Sequence, residues 1–260
     1  LSVGSSNWQK GPDSKTTNDT RPNIILILAD DLGFNDVSLY NGGAADGSLM
    51  TPNIDAIAQD GVLFENGYAA NAICAPSRAS IMTGRYSTRF GFEFTPIYPQ
   101  AVTLFKWIDE IDDPELKIEI DEKLAPMSKN IFTASFPSEE TTIAEVLQDV
   151  GYYTAHIGKW HLGRIDGSLP NDNGFDDSLL LDGSLYLPEN DENVVNAKFD
   201  YGVDKMVWAR SQFSAVFNKG PRFAPGGYLT DYYTDEAIQV IENNKNRPFF
   251  LYLGHWAVHN

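Results

Sequence analysis

The chain has 260 residues, 42% of them hydrophobic, which is enough apolar material for one large or two small cores and too much for a disordered polymer. A formal charge of −17 excludes a nucleic-acid partner held by a basic surface, because no surplus of Lys and Arg exists to displace counterions from phosphates. An anionic substrate would therefore need a pocket that is locally basic. No run approaches the roughly 18 apolar residues of a membrane span, so no membrane span is expected, and the single cysteine, Cys74, cannot form an internal disulfide.

In chain order, residues 1–20, rich in Ser, Gly, Asp, Asn and Lys, read as a flexible leader. Residues 23–29 (NIILILA) form a continuous apolar run between Pro22 and Asp30-Asp31, which suits a strand buried on both faces of a parallel sheet. Residues 51–61 predict a helix capped by Thr51, with Pro52 at its first position, Ile54, Ile57 and Ala58 facing inward and Gly61 ending it in a left-handed turn. Val62 to Phe64 would return as a strand. Thr142 and Glu145 stand at capping-box spacing ahead of a helix whose inner face is Ile143, Val146, Leu147 and Val150, and Tyr152 to Ile157 is the strand that follows. Asp231 to Asn244 predicts a last helix and Pro248 to Leu253 (PFFLYL) another buried strand. Strands alternating with helices make an α/β fold with a predominantly parallel central sheet flanked by helices. Residues 91–138 and 164–228 show no clean periodicity and read as long, function-bearing irregular stretches; their aromatics Tyr98, Phe105, Trp107, Trp208, Phe213 and Tyr228 are candidates for stacking on a sugar or aryl ring.

In such a sheet ligands gather beyond the carboxyl ends of the strands. Asp30-Asp31 follow the first strand, Lys159 and His161 the middle one, His255 and His259 the last. Adjacent carboxylates repel, and a hard cation between them would relieve the repulsion. Cys74 precedes a predicted helix with Pro76 at its first position, Arg78 one turn on and Gly84 as stop. Free N–H groups and a guanidinium at that point favour anions and a reactive thiol. Chemistry alone stops there.

Cys74-Ala75-Pro76-Ser77-Arg78, followed by a helix and Thr83-Gly84-Arg85, resembles the signature of type I sulfatases of the alkaline phosphatase superfamily. Four fixed positions at ordinary residue frequencies match by chance on the order of 10⁻⁶ per site. Asp30-Asp31, Thr51-Pro52-Asn53-Ile54-Asp55, Gly158-Lys159-Trp160-His161-Leu162-Gly163 and Ala257-Val258-His259 stand in the same order as in that family, across nearly the whole chain. The resemblance implies an alkaline-phosphatase-like fold, with residues 21–260 as the N-terminal portion of a catalytic domain. It implies hydrolysis of a sulfate ester, on a sulfated glycan or aryl sulfate, by a formylglycine that a separate formylglycine-generating enzyme makes from Cys74. Asp30, Asp31 and the modified Cys74 would hold calcium, Arg78 would orient the nucleophile, Lys159 and His259 would contact the sulfate, and His161 would move protons at the nucleophile. His156 and His255 have no counterpart in this pattern and are substrate-side or structural candidates. A periplasmic or secreted protein is expected. The family pattern continues past Asn260 with an Asp-Asn pair and a further lysine, so residues 1–260 alone are expected to lack turnover. A phosphonate or phosphodiester hydrolase of the same superfamily, or a non-catalytic sulfate-binding homologue, are the alternatives.

Overall fold

The computed structural model describes residues 6–14, 19–96, 106–107, 109–110, 117, 119, 121, 133–182 and 214–259. Its centre is a sheet of β1 (Ile24–Leu28), β2 (Tyr153–Gly158), β3 (Asp177–Leu181), β4 (Ala215–Phe217), β5 (Arg222–Phe223) and β6 (Phe249–Gly254) in the order β1-β6-β2-β3-β4-β5. The first four in that order are parallel, and β4 and β5 run antiparallel beyond them. The predominantly parallel α/β sheet expected from the sequence is thus present. The helices are α1 (Ser38–Asn41), α2 (Ala44–Gly47), α3 (Pro52–Asp60), α4 (Cys74–Thr83), α5 (Ile143–Asp149) and α6 (Leu229–Asn244).

Strand alternation divides β6 between two cores. Phe249, Leu251 and Leu253 join Tyr153, Ala155, Ile157 and the α6 residues Tyr233, Ala237 and Val240 on one face, while Phe250 and Tyr252 join Ala75, Ala79 and Met82 of α4 and Ala144 of α5 on the other. Every residue of β2, β3 and β6 is buried, as strands covered on both faces require. The capping box of α5 forms as predicted: Glu145 N–H donates to Thr142 Oγ1 at 3.2 Å and Thr142 N–H to Glu145 Oε2 at 2.7 Å.

Several expectations are corrected. Residues 6–14 are no flexible leader: Trp8 is buried, its Nε1 donates to Glu236 Oε2 at 2.6 Å, its ring packs edge-on against Phe217 at 5.0 Å, and Gly11 N–H donates to Asn243 O. β1 is an edge strand covered on one face only, with Ile25 46% and Ile27 57% exposed. Helix α3 exists but buries none of its residues, Ile54 and Ile57 included. Thr51 makes no cap hydrogen bond, because its hydroxyl is engaged by Ser38 and Asp55, and Gly61 is not left-handed. Val62 to Phe64 is exposed chain, not strand. Within the second irregular stretch lie β3, β4 and β5, whose runs of two to five residues are too short to carry a period. Tyr98, Phe105, Trp208 and Phe213 fall outside the described residues, while Trp107 and Tyr228 are exposed.

Candidate active site

The carboxyl ends of β1, β6 and β2 meet because backbone bonds continue past the strands. Lys159 N–H donates to Gly254 O at 2.8 Å, His255 N–H to Leu28 O, Asp30 N–H to Ala257 O, and Val258 N–H to Asp30 O. Gly254 permits this approach: a Cβ there would lie 2.7 Å from Lys159 O and 3.0 Å from Arg78 Nη1. Asp31 and His161 both hold left-handed backbone, at φ 61° and 65°, a conformation that costs a non-glycine residue free energy and clusters at functional sites.

Helix α4 brings its first turn to the same edge. Cys74 is the first helical residue rather than the one before the helix, and Pro76 is the third, where its missing N–H still costs no helical bond. Gly84 ends the helix as expected, and does so in a left-handed turn. Arg78 is buried beneath the site, with Nη1 donating to Lys159 O at 2.6 Å and to Tyr252 Oη at 3.0 Å, and Nη2 3.4 Å from Asp30 Oδ1. Its Nε and Nη2 make no hydrogen bond to the described residues. Lys159 Nζ pairs with Asp30 Oδ2. One buried carboxylate therefore faces two buried cations, an excess of positive charge that invites an anion into this pocket of an otherwise acidic chain.

Asp30, Cys74 and His259 present ligand atoms that all lie within 4.8 Å of one another. The exposed Asp31 carboxylate lies outside that cluster and approaches His259 Nε2 at 3.6 Å instead. Burial alone would raise the Asp30 carboxyl, but the hydrogen bond from Lys159 and the charges of Arg78, Lys159 and His259 outweigh it and hold it below the usual range. Burial, reinforced by the charges of Lys159 and Arg78, pushes the His161 imidazole down to about 3, so it is neutral near pH 7. Its Nδ1 is buried and makes no hydrogen bond to the described residues.

The structure thus gathers Asp30, Cys74, Arg78, Lys159 and His259, with His161 within their electrostatic reach. His156 is not at the substrate side: it is fully buried in β2, with Nδ1 3.0 Å from Ser178 Oγ and its ring against Trp160, Phe175 and Tyr252. His255 is part-buried, and burial lowers its imidazole. Two contributors escaped the sequence reading. Tyr252 alternates inward on β6 to meet Arg78, a placement that the strand period could have given. Trp256 carries Lys159 Nζ 4.0 Å over its ring and packs against the His259 ring at 4.6 Å, and only the fold reveals it.

This arrangement of a half-buried cysteine at a helix start, a carboxylate and three cationic or imidazole groups at the edge of a parallel sheet defines an anion-binding centre with a nucleophile position. The sulfatase family model matches residues 22–260, and the chain belongs to the sulfatase family. Human N-acetylgalactosamine-6-sulfatase is 29% identical over 243 residues, spanning 91% of this chain and 39% of its own length. N-acetylglucosamine-6-O-sulfatase of Bacteroides thetaiotaomicron is 30% identical over 240 residues, spanning 92% and 31%. Among solved structures, Ps i-CgsB in complex with k-i-k-neocarrahexaose superposes with a TM-score of 0.65 at 30% identity, covering 92% of this chain and 46% of that one. BT4656 in complex with its substrate D-glucosamine-2-N,6-O-disulfate superposes with a TM-score of 0.59 at 30% identity, covering 92% and 35%. The chain accordingly spans between 31% and 46% of the length of these proteins. No helix among the described residues is long and apolar enough to cross a membrane.

Proposed function

We propose that this chain supplies the nucleophile and much of the anion-binding shell of a sulfate-ester hydrolase, with residues 21–260 forming part of its catalytic domain. The observation that carries this reading is the convergence of Cys74, Asp30 and His259 within 4.8 Å, above a buried Arg78 with two nitrogens that make no hydrogen bond to the described residues. Oxidation of Cys74 to formylglycine by a formylglycine-generating enzyme belongs to the proposal, because it puts an oxygen nucleophile where a soft thiol stands. Calcium fits the donor chemistry in part: Asp30 offers hard carboxylate oxygens within the cluster and an oxygen at position 74 would add another, while Asp31, one residue on, would join them by turning from His259. When bound, the ion would offset charge on the sulfate group and favour the ionised nucleophile.

The protein's own residues then divide the work. Arg78, fixed by Lys159 O and Tyr252 Oη, would offer its remaining donors to an oxygen at position 74. Lys159 and His259, steadied by the Trp256 ring, bind the oxygens of the substrate sulfate and stand on the side from which the leaving alcohol takes its proton. His161, neutral near pH 7, would accept a hydrogen bond from a hydroxyl at position 74 and orient it during proton transfer. A sulfated glycan is the favoured substrate class, because the relatives' names and the ligands in their structures are sulfated or glycan compounds. A periplasmic or secreted location goes with such a substrate.

The test uses the intact gene product co-expressed with a formylglycine-generating enzyme. Mass analysis of the Cys74 peptide should show sulfur replaced by oxygen with loss of two hydrogens, in step with aryl sulfate hydrolysis and with little hydrolysis of an aryl phosphodiester. Full turnover with an unmodified thiol at position 74, or a preference for the phosphodiester, would overturn the reading.

A further inference from the structure

Next to the sulfate pocket, on the far side of β2, lies a second cationic group that the chemistry above leaves unused. Asp182 directly follows β3, whose register against β2 sets Leu180 beside Gly158, so Asp182 emerges at the same carboxyl edge as Lys159 and His161. Its carboxylate is largely covered and engages two guanidinium groups. Arg164 Nη1 donates to Asp182 O at 2.9 Å and lies 3.4 Å from Oδ1, while Arg222 Nε, from β5, pairs with Oδ2. Arg164 stands three residues beyond His161, close enough for its charge to contribute to that imidazole's lowered proton affinity.

Two arginines sharing one carboxylate leave a net positive charge. The Arg222 side chain is 68% exposed and that of Arg164 34%, so both forks remain open to solvent while Asp182 fixes their direction. Surface ion pairs of this kind add little to stability, and a cationic spot is out of keeping with a chain of charge −17. Planar guanidinium forks match the oxygens of sulfate and carboxylate groups alike.

We propose that Arg164, Asp182 and Arg222 form a subsite for a second oxyanion, a sulfate ester or carboxylate, on the same glycan whose sulfate enters the Cys74 pocket. This selects polyanionic glycans over singly sulfated ones. The inference deepens the sulfatase reading and rests on it.

The experiment compares a monosulfated disaccharide, its disulfated counterpart and a monosulfated disaccharide bearing a uronate, with the intact gene product and with Arg222→Gln and the double variant Arg164→Gln, Arg222→Gln. The wild type should prefer one or both dianionic substrates, and the double variant should lose about tenfold of that preference, mainly through KM. Arg222→Lys should restore part of it. Which dianion is preferred distinguishes sulfate from carboxylate. Turnover of the monosulfated sugar with the same preference in wild type and double variant would overturn the proposal while leaving the sulfatase reading intact. If no sugar is turned over, that reading fails, and calorimetric binding of the three disaccharides still decides the subsite: binding preference that the variants do not alter overturns it.

Discussion

His156 should make the protein sensitive to mild acid. The imidazole is fully buried in β2 among Trp160, Phe175 and Tyr252, and burial, aided by the charge of Arg78, pushes its pKa from 6.5 down to about 3. The unfolded chain therefore binds a proton between pH 6.5 and 3 that the folded chain refuses, and stability rises with pH throughout that window. Between pH 7 and pH 5 the linkage amounts to about 2 kcal/mol from this residue. His156→Phe keeps a ring of similar shape and removes the proton site, at the expense of a partner for Ser178 Oγ. Urea unfolding at pH 7, 6 and 5, followed by tryptophan fluorescence, should show the wild type losing about 2 kcal/mol more than the variant over this range. The absolute stability of the variant is immaterial; its pH slope is the readout. Parallel stability–pH curves for the two proteins would refute the reasoning.

Trp8→Ala should destabilise by about 3–5 kcal/mol, since it empties a site on the core and leaves the buried Glu236 carboxylate without its donor; a loss under about 1 kcal/mol in the same urea assay would mean that the N-terminal segment is not docked. Asp30→Asn should weaken calcium binding measured by calorimetry and abolish the shift in melting temperature that a chelator causes in the wild type. A chelator shift as large in the variant as in the wild type would remove Asp30 from the metal site.

The sequence revealed the fold where long apolar runs left no alternative. β1, β2 and β6 could be read directly, α5 from its capping box and α6 from its period. The inner face expected of α5 is not observed, however: Ala144 is its one buried residue, and Ile143, Val146 and the following Val150 are exposed because the helix meets the core through Ala144 instead. The candidate site residues were readable as motifs attached to those strands, and Asp30, Arg78, Lys159 and His259 do meet at one sheet edge, whereas the Asp31 carboxylate lies outside the cluster. β3 to β5 escaped because a strand of two to five residues is specified by its neighbours in the sheet rather than by its own pattern. Burial of Ile54 and Ile57 was inferred from amphipathicity, which states what a helix would bury if a surface were opposite it; among the described residues none covers them. Trp8 was hidden by its polar surroundings, and Trp256 by belonging to no motif: each acts through residues more than 90 positions away or across a turn, and such contacts leave no local period.

The last strand in sequence is not the last in space. β6 lies between β1 and β2, so β1 has no described neighbour until residues 249–254 have been made. Cys74 precedes the end of β6 by about 180 residues. At ordinary translation rates of about 5–20 residues per second, the segment around Cys74 spends roughly 10–40 s outside any completed sheet. During that interval position 74 is an accessible peptide, and afterwards it is a helix start pinned over a buried arginine. If the formylglycine-generating enzyme proposed above acts on the extended segment, it would compete with a clock set by sheet topology, and slowing the synthesis of residues 75–254 should then raise the modified fraction, read from the mass of the Cys74 peptide, without any change in that enzyme.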